Sequence, residues 1–275
     1  MNKLSVIIPS RNGLHILKKF LPAIIRETER AGGQVTVVDD CSGDGTADEI
    51  QILFPEVTLL SRRTEPGFCH AVNLGMDKSH SNYIMLLNND TIPEEGSFRK
   101  LVEALEQSEE NVAVAVPSIV RPDGSDDSSY RWAFNHGLAT TGEDTAGEEY
   151  PSGACALWKK QIWTELGGLS TLYAPIYWED TDLGVRMHQA GYTMKRCGEI
   201  VVRHMHAATM GSSLESETLR ERNRFIFMDN HCSSPAKRIS RGLWMPVHLL
   251  IAFVKKNRAF TGGYRDYLKH KREQK

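Results

Sequence analysis

The sequence predicts an α/β fold: a central, mostly parallel sheet flanked by helices, with a C-terminal helical extension. Two observations carry the sheet and its helices. Short apolar runs alternate with amphipathic helical patterns, and acidic residues follow directly on several of those runs. Such alternation favours parallel strands covered on both faces, with polar groups delivered at strand ends. The third observation is a final segment, from Pro235, that turns basic and aromatic. The 275 residues suffice for one large domain or two small ones. No internal repeat or clean linker divides them. The expected organisation is a main unit over 1–230 followed by a basic and apolar helical extension over 231–275.

Leu4–Ile8 reads as a short buried strand ending at Pro9, after which Ser10 and Asn12 can cap or turn the chain. Ile16, Leu17, Phe20, Leu21, Ile24 and Ile25 then form one helical face. Pro22 falls inside that pattern, so it either sits in a first turn or kinks the helix. Gly32-Gly33 closes this unit, and Val35–Val38 and Val57–Leu60 are the next strands. Tyr83–Leu87 is another, followed directly by Asn88-Asn89-Asp90. Pro93, Glu94 and Glu95 have the composition of a helix start, with an apolar face at Phe98, Leu101, Val102 and Leu105. Val112–Val116 reads as a strand.

Between Pro117 and Pro151 the pattern weakens, and a functional or mobile loop, or surface elaboration, is expected. Trp132 and Phe134 within it either stack on a ligand or pin the stretch to the core. Order returns at Gly153–Trp158, then a helix over Lys159–Leu166 ending at Gly167-Gly168. A helix over Asp182–Ala190 is capped by Thr181 and closed by Gly191. A weak strand over Glu199–His204 and a charged helix over Leu214–Asn230 complete the main unit.

Composition narrows the function. Hydrophobic residues make up 40% and charged residues 25%, the mix of a folded soluble protein. A formal net charge of -2 argues against a broad nucleic-acid surface but leaves room for a local phosphate site. Cys41, Cys69, Cys155, Cys197 and Cys232 include no CxxC pair, so they offer neither a disulfide framework nor a thiolate metal site. A reducing, cytoplasmic location is expected, because the first strand begins almost at Met1 with no signal peptide before it. No apolar run reaches the ~20 residues of a membrane-spanning helix.

Three acidic clusters carry the chemistry. Asp39 and Asp40 leave the end of a buried strand, where ligands bind in open α/β sheets. A carboxylate there can accept hydrogen bonds from a base or ribose; the alternative is an acidic turn capping the next helix. Asn88-Asn89-Asp90 repeats the arrangement. Asp90 can bind a hard divalent cation that bridges two phosphates, with Asn88 and Asn89 adding neutral oxygens or orienting water. Such a cation stabilises a departing diphosphate more than the bound one. Otherwise the triplet caps the helix after Pro93. Tyr177-Trp178-Glu179-Asp180-Thr181-Asp182 places three carboxylates beside aromatics at a helix start. Asp180 is the preferred base for an acceptor hydroxyl, Glu179 the alternative base or an acceptor ligand, and Trp178 can pack on a sugar face. Asp182 fits better as a brace of its own helix.

His204 and His206 share a face if their strand continues, and one imidazole can complete a metal shell or contact a phosphate. Arg222, Arg224, Arg62 and Arg63 are candidates for diphosphate contacts, or else solvated charges.

Taken in order, these segments resemble family 2 glycosyltransferases with a GT-A nucleotide-binding fold, especially rhamnosyltransferase-like and galactofuranosyltransferase-like members. The resemblance runs from Leu4–Pro9 through Val37–Thr46, Gly67–Gly75, Leu87–Thr91, Gly153–Cys155 and Trp178–Leu183 to Arg186, Ala190–Tyr192, His204 and Arg222–Arg224. It covers roughly Met1 to Asp229. It implies nucleoside contact at Asp39, a metal-binding motif at Asn88-Asn89-Asp90 with Asp90 as ligand, the base at Asp180 and a later metal ligand at His204. The first acid of the family's Asp-x-Asp region is asparagine here. The candidate donor-binding set is Pro9, Arg11, Asp39, Arg62, Asn73, Asn88, Asn89 and Asp90. The resemblance implies Mn²⁺ or Mg²⁺, a nucleoside-diphosphate sugar donor, a glycan, glycolipid or other hydroxyl acceptor, and inversion at the anomeric carbon in cell-surface glycan or polysaccharide synthesis.

Two other functions compete. A glycan-binding protein on a transferase scaffold is motivated by the asparagine replacement. A nucleotidyltransferase would share the fold class, but no Gly-rich phosphate loop with a catalytic lysine is evident. Trp244–Val254 is apolar, too short to span, and followed by Lys255, Lys256 and Arg258. It either packs on protein, including a second copy in a homo-oligomer, or rests on the inner face of the cell membrane.

Overall fold

The computed structural model describes residues 3–205 and 213–274. The chain opens with strand β1 (Leu4–Ser10), helix α1 (Leu14–Arg30), strand β2 (Gly33–Asp40), helix α2 (Thr46–Leu53), strand β3 (Thr58–Arg62) and helix α3 (Phe68–Lys78). Strand β4 (Tyr83–Leu87), the short β5 (Thr91–Pro93), helix α4 (Ser97–Glu106) and strand β6 (Val112–Val120) follow. Next come β7 (Ser129–Asn135), β8 (Leu138–Gly142), β9 (Glu148–Pro151), β10 (Cys155–Lys159), α5 (Lys160–Glu165), α6 (Glu179–Gln189) and β11 (Thr193–His204). Helices α7 (Leu214–His231), α8 (Pro235–Val254) and α9 (Arg258–Glu273) end the chain.

The main sheet has the order β3-β2-β1-β4-β10-β6-β11-β5. Its first half is parallel, from β3 to β4. Strand β10 then runs antiparallel to both neighbours, and β6 and β11 are again parallel. Strand periodicity sends alternate side chains into two cores. Val6, Ile8, Val37, Met85 and Leu87 pack with α1 and α4 on one face. Ile7, Val38, Ile84, Leu86 and Trp158 pack with α3 and α7 on the other. Gly75 lets α3 approach the sheet closely: a Cβ there would stand 2.3 Å from Ile7 Cγ2. Pro22 lies inside α1, which continues through it because Leu21, Ile24 and Ile25 remain buried on the same face.

Three expectations change. Pro93 ends an edge strand rather than starting a helix, since Thr91–Pro93 pairs with His204–Val202 of β11. An edge position tolerates the missing N–H. Helix α4 begins at Ser97, after Gly96 at φ 76. The stretch expected to be a loop contains a three-stranded antiparallel sheet, β8-β7-β9. Its hairpin turns at His136 and Gly137, both with positive φ, as a two-residue turn matching strand twist requires. Trp132 pins it to the core, with its ring 5.0 Å from that of Phe227 on α7. Finally, α6 begins at Glu179, and Thr181 lies inside it rather than capping it.

Candidate active site

The parallel strands end on one edge of the sheet, and that edge carries the acids. Register places Ser10 of β1 beside Asp39 of β2. Pro9, Ser10, Arg11, Asp40, Asn89 and Asp90 line a cavity of about 220 Å³ there. Asn89 Nδ2 donates to Ser10 Oγ at 2.9 Å and ties β1 to the loop after β4. A second cavity, of about 460 Å³, is lined by Asp127, Tyr130, Tyr150, Trp178, Glu179, Asp180 and His204. The two share Phe68, Asn88 and Ile176 as walls, so they form adjoining halves of one cleft.

Asp39 lies beneath this cleft rather than in its wall. It is fully buried, and neither carboxylate oxygen has a hydrogen-bond partner. A buried carboxylate in that condition is costly unless a ligand or ion satisfies it. Asp40 faces the cavity instead, accepting from Gly67 N at 2.7 Å and pairing with Arg62. Arg62 also donates to the carbonyls of Gly67 and Glu65, so its guanidinium organises this loop. Asn73 is not among the residues lining either cavity. Its amide clamps the backbone of Leu169, donating to the carbonyl at 2.7 Å and accepting from the N–H at 2.9 Å.

Asp90 is also fully buried, with both oxygens lacking hydrogen bonds. His204 Nε2 stands 3.1 Å from Asp90 Oδ1. Its other ring nitrogen, Nδ1, is 2.5 Å from Asp127 Oδ2. Burial lowers the imidazole pKa, but Asp127 and Asp90 outweigh it and raise it to about 9. Asp127 is likewise pulled down to about 2: burial opposes this, and the contacts with His204, Tyr130 and Arg121 prevail. Among the described residues no three His, Cys, Asp or Glu side chains group as a complete metal site. Asp90, whose Oδ1 faces His204, and His204 once a metal displaces its Nε2 proton offer a carboxylate and an imidazole, a donor set that suits a divalent cation completed by ligands from outside the chain. His206 lies outside the described residues.

Asp180 lies in the first turn of α6 and is half-buried in the wall of the larger cavity. Its Oδ1 accepts from Thr181 N at 2.7 Å. Burial raises its pKa above the ordinary carboxylate value, against the Thr181 hydrogen bonds. Glu179 is pushed further the same way, by burial and then by the neighbouring Asp180 charge, and its Oε2 has no hydrogen-bond partner. Burial and their mutual repulsion press both acids toward the neutral form, Glu179 more strongly. Asp182 braces the helix: it receives Arg186 Nε at 2.8 Å and Tyr173 OH at 3.0 Å, with His231 Nε2 at 2.7 Å.

Tyr177 and Trp178 hold φ values of 84 and 74, a left-handed conformation that aims the two following acids into the cleft. Each such residue costs of order 1–3 kcal/mol and persists only where its surroundings enforce it. Asn223 of α7, fully buried, supplies that enforcement. Its Nδ2 lies 2.7, 2.9 and 3.0 Å from the carbonyls of Tyr173, Ile176 and Tyr177. Trp178 Nε1 donates to Arg220 O at 3.0 Å, and the indole packs on Phe227 at 4.9 Å. Trp178 is therefore mostly buried support, with one part in the cavity wall.

Sequence reasoning missed Asp127, Asn223 and Arg220. Asp127 lay in the patternless stretch. Asn223 stood between two arginines that drew the attention. Those arginines are engaged elsewhere: Arg222 with Ala174 O and Asn223, and Arg224 with Glu221. Arg220 lines the larger cavity and lies over the Tyr177 ring at 4.7 Å. Its signal was only its helical spacing from Arg224.

The sequence profile described as Glycosyl transferase family 2 matches residues 5–167, more than half of the chain. The chain is 27% identical over 274 aligned positions to an N-acetylglucosaminyl-diphospho-decaprenol L-rhamnosyltransferase of Mycobacterium tuberculosis, covering 86% of this chain and 88% of that one. It is 28% identical over 105 residues to an uncharacterized glycosyltransferase of Haemophilus influenzae, covering 38% of this chain and only 35% of that relative. A solved mannosyltransferase of Pyrobaculum calidifontis, in complex with GDP-Man and Mn²⁺, superposes with a TM-score of 0.60 at 18% identity. That superposition covers 96% of this chain and 73% of the other, and it shows the GT-A fold.

Proposed function

The chain belongs to glycosyl transferase family 2, and from that premise we propose that it moves a sugar from a nucleoside-diphosphate donor to a hydroxyl acceptor with inversion. The observation that carries this reading is the adjoining of two half-sites. One is lined by Asp90 and the other by Asp180 and His204, with Asn88 in the wall of both and His204 Nε2 reaching to 3.1 Å from Asp90 Oδ1.

The donor diphosphate belongs in the smaller half, near Arg11 and Asn89. The unpartnered Asp39 beneath it suits the hydrogen-bond donors of a nucleoside. Asp90 and His204 would hold a divalent cation, Mn²⁺ or Mg²⁺. When bound, that cation neutralises charge gathering on the departing diphosphate. Asp180 removes the proton of the acceptor hydroxyl. The oxygen bonds to the anomeric carbon from the face opposite the nucleotide, while the bond to the phosphate oxygen breaks and its electron pair leaves with the nucleoside diphosphate. Glu179, held toward its neutral form, lets Asp180 ionise beside it. Arg220 and Tyr177 supply a cationic, aromatic wall for the acceptor side.

The name of the Mycobacterium relative, carried over to this chain, favours a lipid-diphosphate-linked glycan as acceptor. Cell-surface glycan synthesis at the inner face of the cell membrane follows from that acceptor.

Asp180→Asn tests the reading. Donor affinity is expected to stay within about twofold, while transfer falls by about 10²–10⁴-fold, the usual contribution of a positioned base. Release of nucleoside diphosphate from a panel of donor sugars measures it. Turnover equal to the parent, or release of pyrophosphate instead, would refute the assignment.

A further inference from the structure

Helix α8 is amphipathic in the inverted sense. Ile239, Leu243, Val247, Leu250 and Val254 recur at spacings of three and four and make one stripe, with Phe253 alongside. This stripe faces outward: Leu243 is 70% exposed, Phe253 78% and Val254 71%. The opposite face is the one held by the protein. Met245 and Ala252 are buried there, Arg241 pairs with Asp229 at 2.6 Å, and His248 Nε2 lies 2.7 Å from His136 O. Packing of the stripe onto the catalytic part of the chain, one of the two arrangements open from sequence, is therefore not observed among the described residues.

Charge identifies what covers it. Residues 235–275 contain 11 of the chain's 33 basic residues and only two of its 35 acidic ones. Lys255, Lys256 and Arg258 stand exposed at one end of the stripe and Arg238 at the other. An apolar stripe bracketed by cations matches the interface of an anionic bilayer. A second copy on the same stripe would bring basic ends against basic ends, in either helix orientation. No described helix is long and apolar enough to cross a membrane. We infer that the outer face of α8 docks on an anionic lipid surface, lying in its plane.

The position suits the cleft. The tip of the β7–β8 hairpin sits on α8, with the His136 and Trp244 rings 4.6 Å apart. The same hairpin carries Tyr130, Thr141 and Gly142 into the wall of the larger cavity. A lipid surface under α8 is thus one short hairpin from the acceptor side.

Vesicle co-sedimentation of the full chain needs neither donor nor acceptor, so its result is independent of the transfer reading. The expected result is binding to phosphatidylglycerol-containing vesicles, little binding to pure phosphatidylcholine, and release as salt rises. Leu243→Asp with Leu250→Asp should lower the partition coefficient about tenfold or more. Lys255→Glu with Lys256→Glu should lower it selectively for anionic vesicles. An unchanged melting temperature shows that each variant is folded. Absence of binding by the parent chain, or equal binding by both variants, overturns the inference. So does a vesicle-independent dimer that dissociates on the Leu243 and Leu250 changes, seen by light scattering, because the stripe is then a contact between copies.

Discussion

Single side chains in this cleft are placed under constraints that surface residues escape. Asp180 can act as a base only when ionised, and burial raises its pKa above the ordinary carboxylate value of about 4. Transfer should therefore fall as pH drops through a midpoint above that value, where a solvated carboxylate would keep it active. A pH profile of kcat measures this, and a midpoint at or below the ordinary value would contradict it. Asp127 acts one contact further out. Through His204 Nδ1 it fixes the ring and leaves Nε2 directed at Asp90. Asp127→Asn should weaken divalent-cation binding by about 10–100-fold, the usual effect of losing a carboxylate behind a liganding histidine. Mn²⁺ titration in the presence of a nucleoside diphosphate reads it directly, with donor affinity in the absence of cation as the control that a purely structural defect would also shift.

At the scale of elements, α7 holds the acid-bearing turn in place. Asn223 reaches three carbonyls of the segment before α6, and Phe227 packs against both Trp178 and Trp132. The left-handed pair Tyr177-Trp178 depends on that grip. Asn223→Ala should cost about 1–3 kcal/mol, the penalty for leaving buried polar groups unpaired. It should also lower kcat while leaving donor KM nearly unchanged, because Asp90 and Asn89 sit on a different loop. Thermal unfolding with steady-state kinetics separates the two effects; a drop in stability with kcat intact would show that the turn holds its shape without Asn223. Gly184 gives α6 its close seat on β9, where an added Cβ would stand 2.3 Å from Tyr150 Cβ.

For the whole molecule, the division of the cleft has a thermodynamic consequence. In the proposed donor site two side chains are assigned to a cation, Asp90 and His204, and the described residues group no third His, Cys, Asp or Glu with them. The remaining positions fall to the diphosphate and water. Cation and nucleotide should therefore bind with positive coupling, each raising the affinity of the other by the same factor. Calorimetric titration of Mn²⁺ with and without a nucleoside diphosphate is expected to show a gain of about 5–150-fold. Equal cation affinities in the two titrations would mean that the chain completes the shell unaided.

Local pattern was enough for much of this protein. Strand Tyr83–Leu87 was legible because its apolar run is short and bounded by turn residues, and the faces of α1 and α4 because their spacing is helical. The acidic strand ends and the Glu179–Asp182 cluster were visible for the same reason: their chemistry is written in consecutive residues. Tertiary contacts decided the rest. Pro93 became part of an edge strand because β11 lies beside it, and the sheet within 129–151 is seated by distant elements, α7 through Phe227 on Trp132 and α6 through Gly184 on Tyr150. Asp127 meets His204 across 77 positions of chain, and Asn223 meets Tyr177 across 46. No periodicity in a single segment encodes such a meeting, since each polar partner gains its role from burial that distant elements create.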